Sequence, residues 1–131
     1  MNHLFSNITE ILLLAFLTIV FLQSGIDKLL NWKGNLSWLT GHFSKSLFKG
    51  SVPVLLAIIL VMEMLSGMLC GVGIFQAAID GESIIGFYGA ILSAVTLLML
   101  LLGQRVAMDY EGAKTIVVYL IPTVFLVYLM Q

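Results

Sequence analysis

Hydrophobic residues fill four long stretches of this chain, and polar residues concentrate in the segments between them. A membrane-spanning helix needs about 20 mostly apolar residues. The stretches over residues 8–29, 53–75, 84–102 and 115–130 meet or approach that length. The pattern therefore predicts an all-α fold, a four-helix transmembrane bundle that forms a single domain over residues 1–131.

The connection between the first two spans is too long for a simple turn. Its segment "LSWLTGHFSKSLFK" sets apolar residues among polar ones at roughly helical spacing. Trp32 and Trp38 suit a membrane interface, where an aromatic ring is half buried. We expect one or two short amphipathic helices along the membrane surface. The alternative is a re-entrant segment that covers a cavity.

Composition supports residence in a membrane. The chain is 60% hydrophobic and only 10% charged, whereas a soluble domain usually carries about 25% charged residues. The formal net charge of -1 gives no reason to expect nucleic acid as a partner. The first residues, MNHLFSNITE, contain neither Lys nor Arg and no small-residue cleavage site. We therefore expect the first span to be a retained helix and not a signal peptide.

All cationic side chains fall in the first and third connections, at Lys28, Lys33, Lys45, Lys49, Arg105 and Lys114. The N-terminal tail and the second connection hold only acidic charges. Loops that carry excess Lys and Arg face the cytoplasm in most membrane proteins. The sequence thus predicts cytoplasmic first and third loops, with both termini on the outer side.

Glu63 is the most informative single residue, because it lies near the middle of the second predicted span. A carboxylate in the bilayer costs about 3 kcal/mol on insertion scales, so it should be paired, protonated or turned inward. Gly67 and Gly71 follow at four-residue steps and share its helix face, and small residues let helices approach closely. We expect Glu63 to face a packing seam, in either a functional or a structural role.

Polar residues that flank the spans form a second candidate group. Gln23 and Ser24 precede Asp27 and Lys28 at the end of span one, where Gly25 permits close approach of another helix. After span three come further polar candidates, which are Arg105, Asp109 and Tyr110. Arg105 and Asp109 are four residues apart and share a face if the helix continues through them. Because both segments lie on one predicted side, one hypothesis is a single polar cluster with Glu63 below it. The alternative is a set of solvated surface ion pairs, each contributing less than about 1 kcal/mol.

The sequence indicates no built-in metal or redox cofactor. Cys70 is the only cysteine, so dithiol chemistry within one chain is excluded. His3 and His42 fall on opposite sides of the membrane in the predicted topology. They would therefore not ligate a haem or metal ion together.

Three segments together resemble the DoxX family of small four-helix bacterial membrane proteins. They are "FLQSGIDKL", "VMEMLSGMLCGVGIF" and "RVAMDYEGA". The last of them is similar to the DoxX-like branch. The resemblance covers nearly the whole chain, and Ser24, Gly25, Lys28 and Glu63 match the family pattern. It implies a bacterial inner membrane protein, and the similar DoxD proteins form a small subunit of thiosulfate:quinone oxidoreductase.

We therefore expect an accessory subunit of a membrane redox complex, more a non-catalytic subunit than a stand-alone oxidoreductase. It would bind a quinone or other lipophile near Glu63. Its other partners would be the lipid bilayer and either a protein subunit or further copies of itself. One alternative is a small proton-coupled transporter that uses Glu63. Another is a purely structural assembly subunit.

Overall fold

The computed structural model describes residues 3–131, and that part of the chain consists of five helices and the turns that join them. They are α1 (Ile8–Leu30), α2 (Trp32–His42), α3 (Val52–Asp80), α4 (Ile84–Val106) and α5 (Tyr110–Met130). All except α2 are long and apolar enough to cross a membrane. The predicted four-helix bundle with a short helix in its first connection is confirmed.

Several helices extend beyond the ends of the spans that the sequence predicts. Helix α3 continues to Asp80, where Gly81 ends it with a positive φ of 85°. Helix α5 begins at Tyr110 and not near residue 115, because the Asp109 side chain accepts a hydrogen bond from the Gly112 backbone N–H. Hydropathy marks the part of a helix that suits lipid, whereas capping residues fix where the helix itself ends.

Helices α1 and α3 run antiparallel, with small residues at their contact. A Cβ added to Gly25 would lie 2.6 Å from Met64 Sδ, and one added to Gly67 would lie 2.7 Å from Leu22 side-chain atoms. Gly71 faces Thr18 at an ordinary contact distance of 3.5 Å. The three glycines singled out in the sequence therefore all lie between α1 and α3. The apolar core beside this contact is formed by Leu14, Leu17, Phe21, Cys70, Ala90, Leu97 and Leu126.

The register of this pair fixes the position of Glu63 relative to the end of α1. Because Gly25 is level with Met64, the end of α1 at Leu30 is level with about residue 59 of α3. Glu63 therefore lies only about four residues, or roughly 6 Å of helix rise, inside the end of α1. Helix α3, with 29 residues, projects about 10 Å beyond that level. Glu63 is the twelfth of the 29 residues of α3 and lies near the middle of that helix.

The two ends of the bundle differ in charge and in packing. We call the end that carries Lys28, Arg105 and the other cations the basic end, and the end with Asp80 and Glu82 the acidic end. At the acidic end α3 and α4 touch through their backbones, since a Cβ on Gly73 would overlap the Gly86 Cα. At the basic end α3 extends past the end of α1, and α2 contacts both of these helices.

Candidate functional site

A cavity of about 330 Å³ opens at the basic end. We call it the basic-end cavity. Its walls come from α2, the segment between α2 and α3, the first turns of α3 and the last turns of α4, with single residues from α1 and α5. The lining is formed by Lys28, Asn35, Trp38, Leu39, Phe43, Phe48, Val52, Leu55, Leu56, Ile59, Met99, Leu100, Leu102, Gly103, Gln104 and Ile116. Within residues 3–131, Lys28 is the one charged side chain that lines it.

Lys28 connects this cavity to the buried carboxylate of α3. Its Nζ donates a hydrogen bond of 2.7 Å to Ser24 Oγ, one helical turn back on α1. The same Nζ lies 2.9 Å from Glu63 Oε1. The side chain of Lys28 is 17% exposed and that of Glu63 only 3%. The side chain of Lys28 thus turns inward, toward α3.

The ion pair leaves Glu63 incompletely satisfied. Its Oε1 atom is buried, and although Lys28 Nζ lies within ion-pair distance, no donor in the described chain is aligned to form a hydrogen bond with it. A buried charge is tolerated when it is paired, and its desolvation makes loss of the partner costly. Glu63 therefore depends on Lys28, and the two act as one electrostatic unit.

Helix α2 covers the cavity from the basic end. Trp38 and Leu39 line the cavity from α2, although no residue of Trp32–His42 is fully buried. His42 holds the helix in place, because its Nε2 lies 2.8 Å from Gln104 Oε1 and 3.6 Å from Asp109 Oδ2. The Trp38 ring stacks on the His42 ring with centroids 4.5 Å apart. The first connection thus contains one short helix, followed by turns over residues 43–51, and this helix lines a cavity.

The structure does not gather the remaining polar candidates into one cluster. Gln23 and Asp27 are exposed, and Asp27 Oδ2 accepts a hydrogen bond of 3.3 Å from Asn35 Nδ2. The Arg105 guanidinium is exposed and lies 4.7 Å from the centroid of the Tyr110 ring.

Asp109 pairs with His42 and not with Arg105. The shared helix face that the sequence suggested for Arg105 and Asp109 requires one continuous helix. Met108 interrupts that helix with a positive φ of 59°, so Asp109 becomes the N-cap residue of α5.

A buried seam of small polar side chains runs between α3 and α4, away from Glu63. Ser66 Oγ lies 3.5 Å from Thr96 Oγ1, and Cys70 Sγ lies 3.7 Å from Ser93 Oγ. Beyond them the seam reaches the backbone contact of Gly73 with Gly86. These side chains thus form a polar strip inside the contact between α3 and α4.

No group of three or more His, Cys, Asp and Glu side chains that could hold a metal ion occurs within residues 3–131. His3 donates its backbone N–H to Ala78 at the acidic end, whereas His42 contacts Gln104 at the basic end.

A second cavity of about 330 Å³ lies at the acidic end, and we call it the acidic-end cavity. Gln76, Asp80, Glu82, Ser83, Ile84, Phe87 and Met130 line it. Gln76 Oε1 already accepts hydrogen bonds from Ser83 Oγ at 2.9 Å and from the Ile85 backbone at 3.1 Å. Its amide therefore ties α3 to the start of α4.

Sequence reasoning missed three polar residues of the basic-end site, namely Asn35, His42 as a contact of α4, and Gln104. The available signal was their position, since all three lie where an amphipathic segment or the end of a span meets water. That signal does not show that α2 folds back over the end of α4.

Comparisons of the chain with protein-family models, curated proteins and solved structures gave no match. The resemblance to the DoxX family therefore stays a prediction that rests on the three segments that carry it.

Proposed function

We propose that this protein is a lipophile-binding membrane subunit that holds a quinone or similar lipid in the basic-end cavity. The observation that carries the proposal is the cavity itself, whose apolar walls enclose one lysine that is already paired with a buried glutamate. Small-molecule sites are typically concave and apolar, with a few placed polar groups that orient the ligand.

The dimensions of the cavity suit part of a lipophile. Ligand pockets range from about 300 to 1,000 Å³, so about 330 Å³ accommodates a head group and the first part of a tail. Trp38 and Leu102 line the cavity and are 61% and 57% exposed. The tail would leave past such residues into the surrounding lipid.

The resemblance to the DoxX family supports the wider part of the proposal. In it the protein is an accessory, non-catalytic subunit of a bacterial inner-membrane redox complex, with its basic end in the cytoplasm. The excess of Lys and Arg at that end supports this orientation. Electrons would pass through the bound quinone or a cofactor of the partner protein.

The experiment is purification of the protein with its native lipids, followed by mass spectrometry of the bound molecules. We expect a retained lipophile in the wild-type protein and its loss in Ile59→Trp, because Ile59 lines the cavity and a larger ring would fill it. The matched control is Ile58→Trp, since Ile58 is the next residue and is exposed on the bundle surface.

Equal retention by the two variants would contradict the site, and an empty wild-type protein would contradict the function. Co-purification of a partner subunit with wild type would support the role in a complex.

A second candidate function is proton-coupled transport, which the buried carboxylate of Glu63 favours. In this case Glu63 would exchange a proton during each transport cycle. Glu63→Gln should then abolish flux of a substrate in proteoliposomes, and unchanged flux would remove this candidate.

A further inference from the structure

The charge inside the basic-end cavity is already balanced, and this limits the kind of head group that fits. Lys28 is the one charged lining residue within residues 3–131, and Glu63 Oε1 lies 2.9 Å from its Nζ. The ammonium and the carboxylate balance each other, so the pair has zero net charge. An anionic head group would therefore meet a neutral site in an apolar enclosure.

Lys28 nevertheless retains capacity to donate a hydrogen bond. An ammonium group carries three N–H donors and no acceptor. One N–H is donated to Ser24 and the group contacts Glu63. Within residues 3–131 no third acceptor lies in hydrogen-bonding distance of Nζ. Since Lys28 lines the cavity, a ligand can supply that acceptor.

The other polar groups among the lining side chains are uncharged, namely the amides of Asn35 and Gln104 and the indole N–H of Trp38. Asn35 uses its Nδ2 donors on Asn31 O and Asp27 Oδ2. Gln104 contacts His42 through Oε1. Neither residue adds the positive charge that would stabilise a carboxylate or phosphate.

From this arrangement we propose that the basic-end cavity selects lipophiles whose head group is an uncharged oxygen acceptor, such as a ketone or quinone carbonyl, and discriminates against anionic lipids. The inference rests on the proposed function and specifies its ligand class. Lys28 donates to the carbonyl oxygen, and Glu63 sets the selectivity because it neutralises the lysine. Glu63 is thus a specificity-determining residue that need not contact the ligand.

The test compares three probes with fourteen-carbon frameworks, which are dodecyl methyl ketone, tetradecanoate and tetradecane. Each is added at equal mole fraction to the full chain in phosphatidylcholine nanodiscs, in mildly alkaline buffer that keeps the acid ionised. Native mass spectrometry counts the bound molecules. Trp38 emission in a Trp32→Phe background reports whether the probe lies in the cavity, since Trp38 lines it.

We expect the wild-type protein to favour the ketone over tetradecanoate by about tenfold or more, which corresponds to about 1.4 kcal/mol. Glu63→Gln leaves the Lys28 charge unbalanced, so its preference should invert toward tetradecanoate. Equal or tighter binding of tetradecanoate by wild type would overturn the inference while leaving lipophile binding intact. An unchanged preference in Glu63→Gln would overturn the role of the pair.

Failure of the proposed function gives a different result. In that case all three probes would bind wild type no better than Ile59→Trp, and Trp38 emission would not change. If Glu63→Gln does not yield monodisperse protein, Lys28→Met with Glu63→Leu replaces the pair with apolar side chains. The ketone should then lose its advantage over tetradecane, and a retained advantage would overturn the inference.

Discussion

The two ends of the bundle each carry a cavity of about 330 Å³, yet the two cavities differ in every other respect. The acidic-end cavity has two exposed carboxylates, Asp80 and Glu82, and its amide, Gln76, is engaged in tying α3 to α4. The basic-end cavity is almost wholly apolar and places one paired lysine at its wall. Volume alone would not distinguish them, whereas the chemistry of the lining does.

Packing explains why an apolar space exists at one end only. At the acidic end Gly73 and Gly86 bring the α3 and α4 backbones together, and Asn7 Nδ2 donates a hydrogen bond of 2.7 Å to Gly81 O. At the basic end α3 extends past the end of α1, and α2 together with the segment that follows it lines the remaining space. Tight helix contact at one end thus leaves room for a ligand at the other.

The largest effect should come from Lys28→Met, which leaves the Glu63 carboxylate buried without its partner. We expect a loss of about 3 kcal/mol in the free energy of unfolding, measured by denaturant titration in detergent. Adding Glu63→Leu to this variant should restore most of the loss. The control is Lys33→Met, because Lys33 is exposed on α2; equal stability of Lys28→Met and Lys33→Met would contradict the pair's importance.

Glycine-to-alanine changes at the two ends should have opposite effects. In Gly73→Ala the new Cβ overlaps the Gly86 Cα, so we expect a loss of about 2 kcal/mol from overpacking. In Gly103→Ala the nearest atom is Phe43 Cζ at 3.5 Å, and higher helix propensity should stabilise by about 0.5 kcal/mol. Thermal unfolding in detergent measures both, and equal shifts would contradict the packing difference.

Much of the fold followed from hydropathy, because each long apolar run has the length that lipid requires. The inward direction of Glu63 followed from its four-residue spacing to Gly67 and Gly71. The cavity did not follow, since it depends on the register of α3 against α1 and on the place where α2 folds back. Single-chain patterns do not encode such relations between helices.

The pairing of Asp109 illustrates the same limit on a smaller scale. Four-residue spacing favoured Arg105 as its neighbour, but a positive φ at Met108 ends α4 between them. Asp109 then caps α5 and approaches His42. A bulky residue with positive φ is uncommon, so the break was not visible in the sequence.

Loosening α2 should have a smaller effect than the preceding substitutions, and that effect should be confined to the basic end. His42→Ala removes the contacts with Gln104 and Asp109, and a lost hydrogen bond of this kind costs about 1 kcal/mol. We expect faster amide hydrogen exchange across α2 and unchanged exchange in α3 near Gly73. The control is Ser37→Ala, at an exposed position of the same helix. Identical amide exchange in the two variants would contradict the role of His42 in holding α2 in place.

The smallest effect should come from Arg105→Gln. The guanidinium is exposed and contacts only the ring of Tyr110 among residues 3–131, an interaction that contributes about 0.5 kcal/mol at a surface. Lipophile occupancy measured by native mass spectrometry should be unchanged. A drop in occupancy comparable with that of Ile59→Trp would extend the site to Arg105.

The central claim is that the basic-end cavity, and not the general lipid-facing surface, receives the lipophile. Photolabelling with a long-chain ketone that carries a diazirine tests this claim directly, in nanodiscs and with peptide mapping of the adducts. We predict adducts concentrated on Trp38, Leu39 and the Leu55–Ile59 turn, which unlabelled ketone removes. Adducts spread evenly over outward-facing positions such as Val61, Val72 and Val95, with no competition by unlabelled ketone, would contradict it.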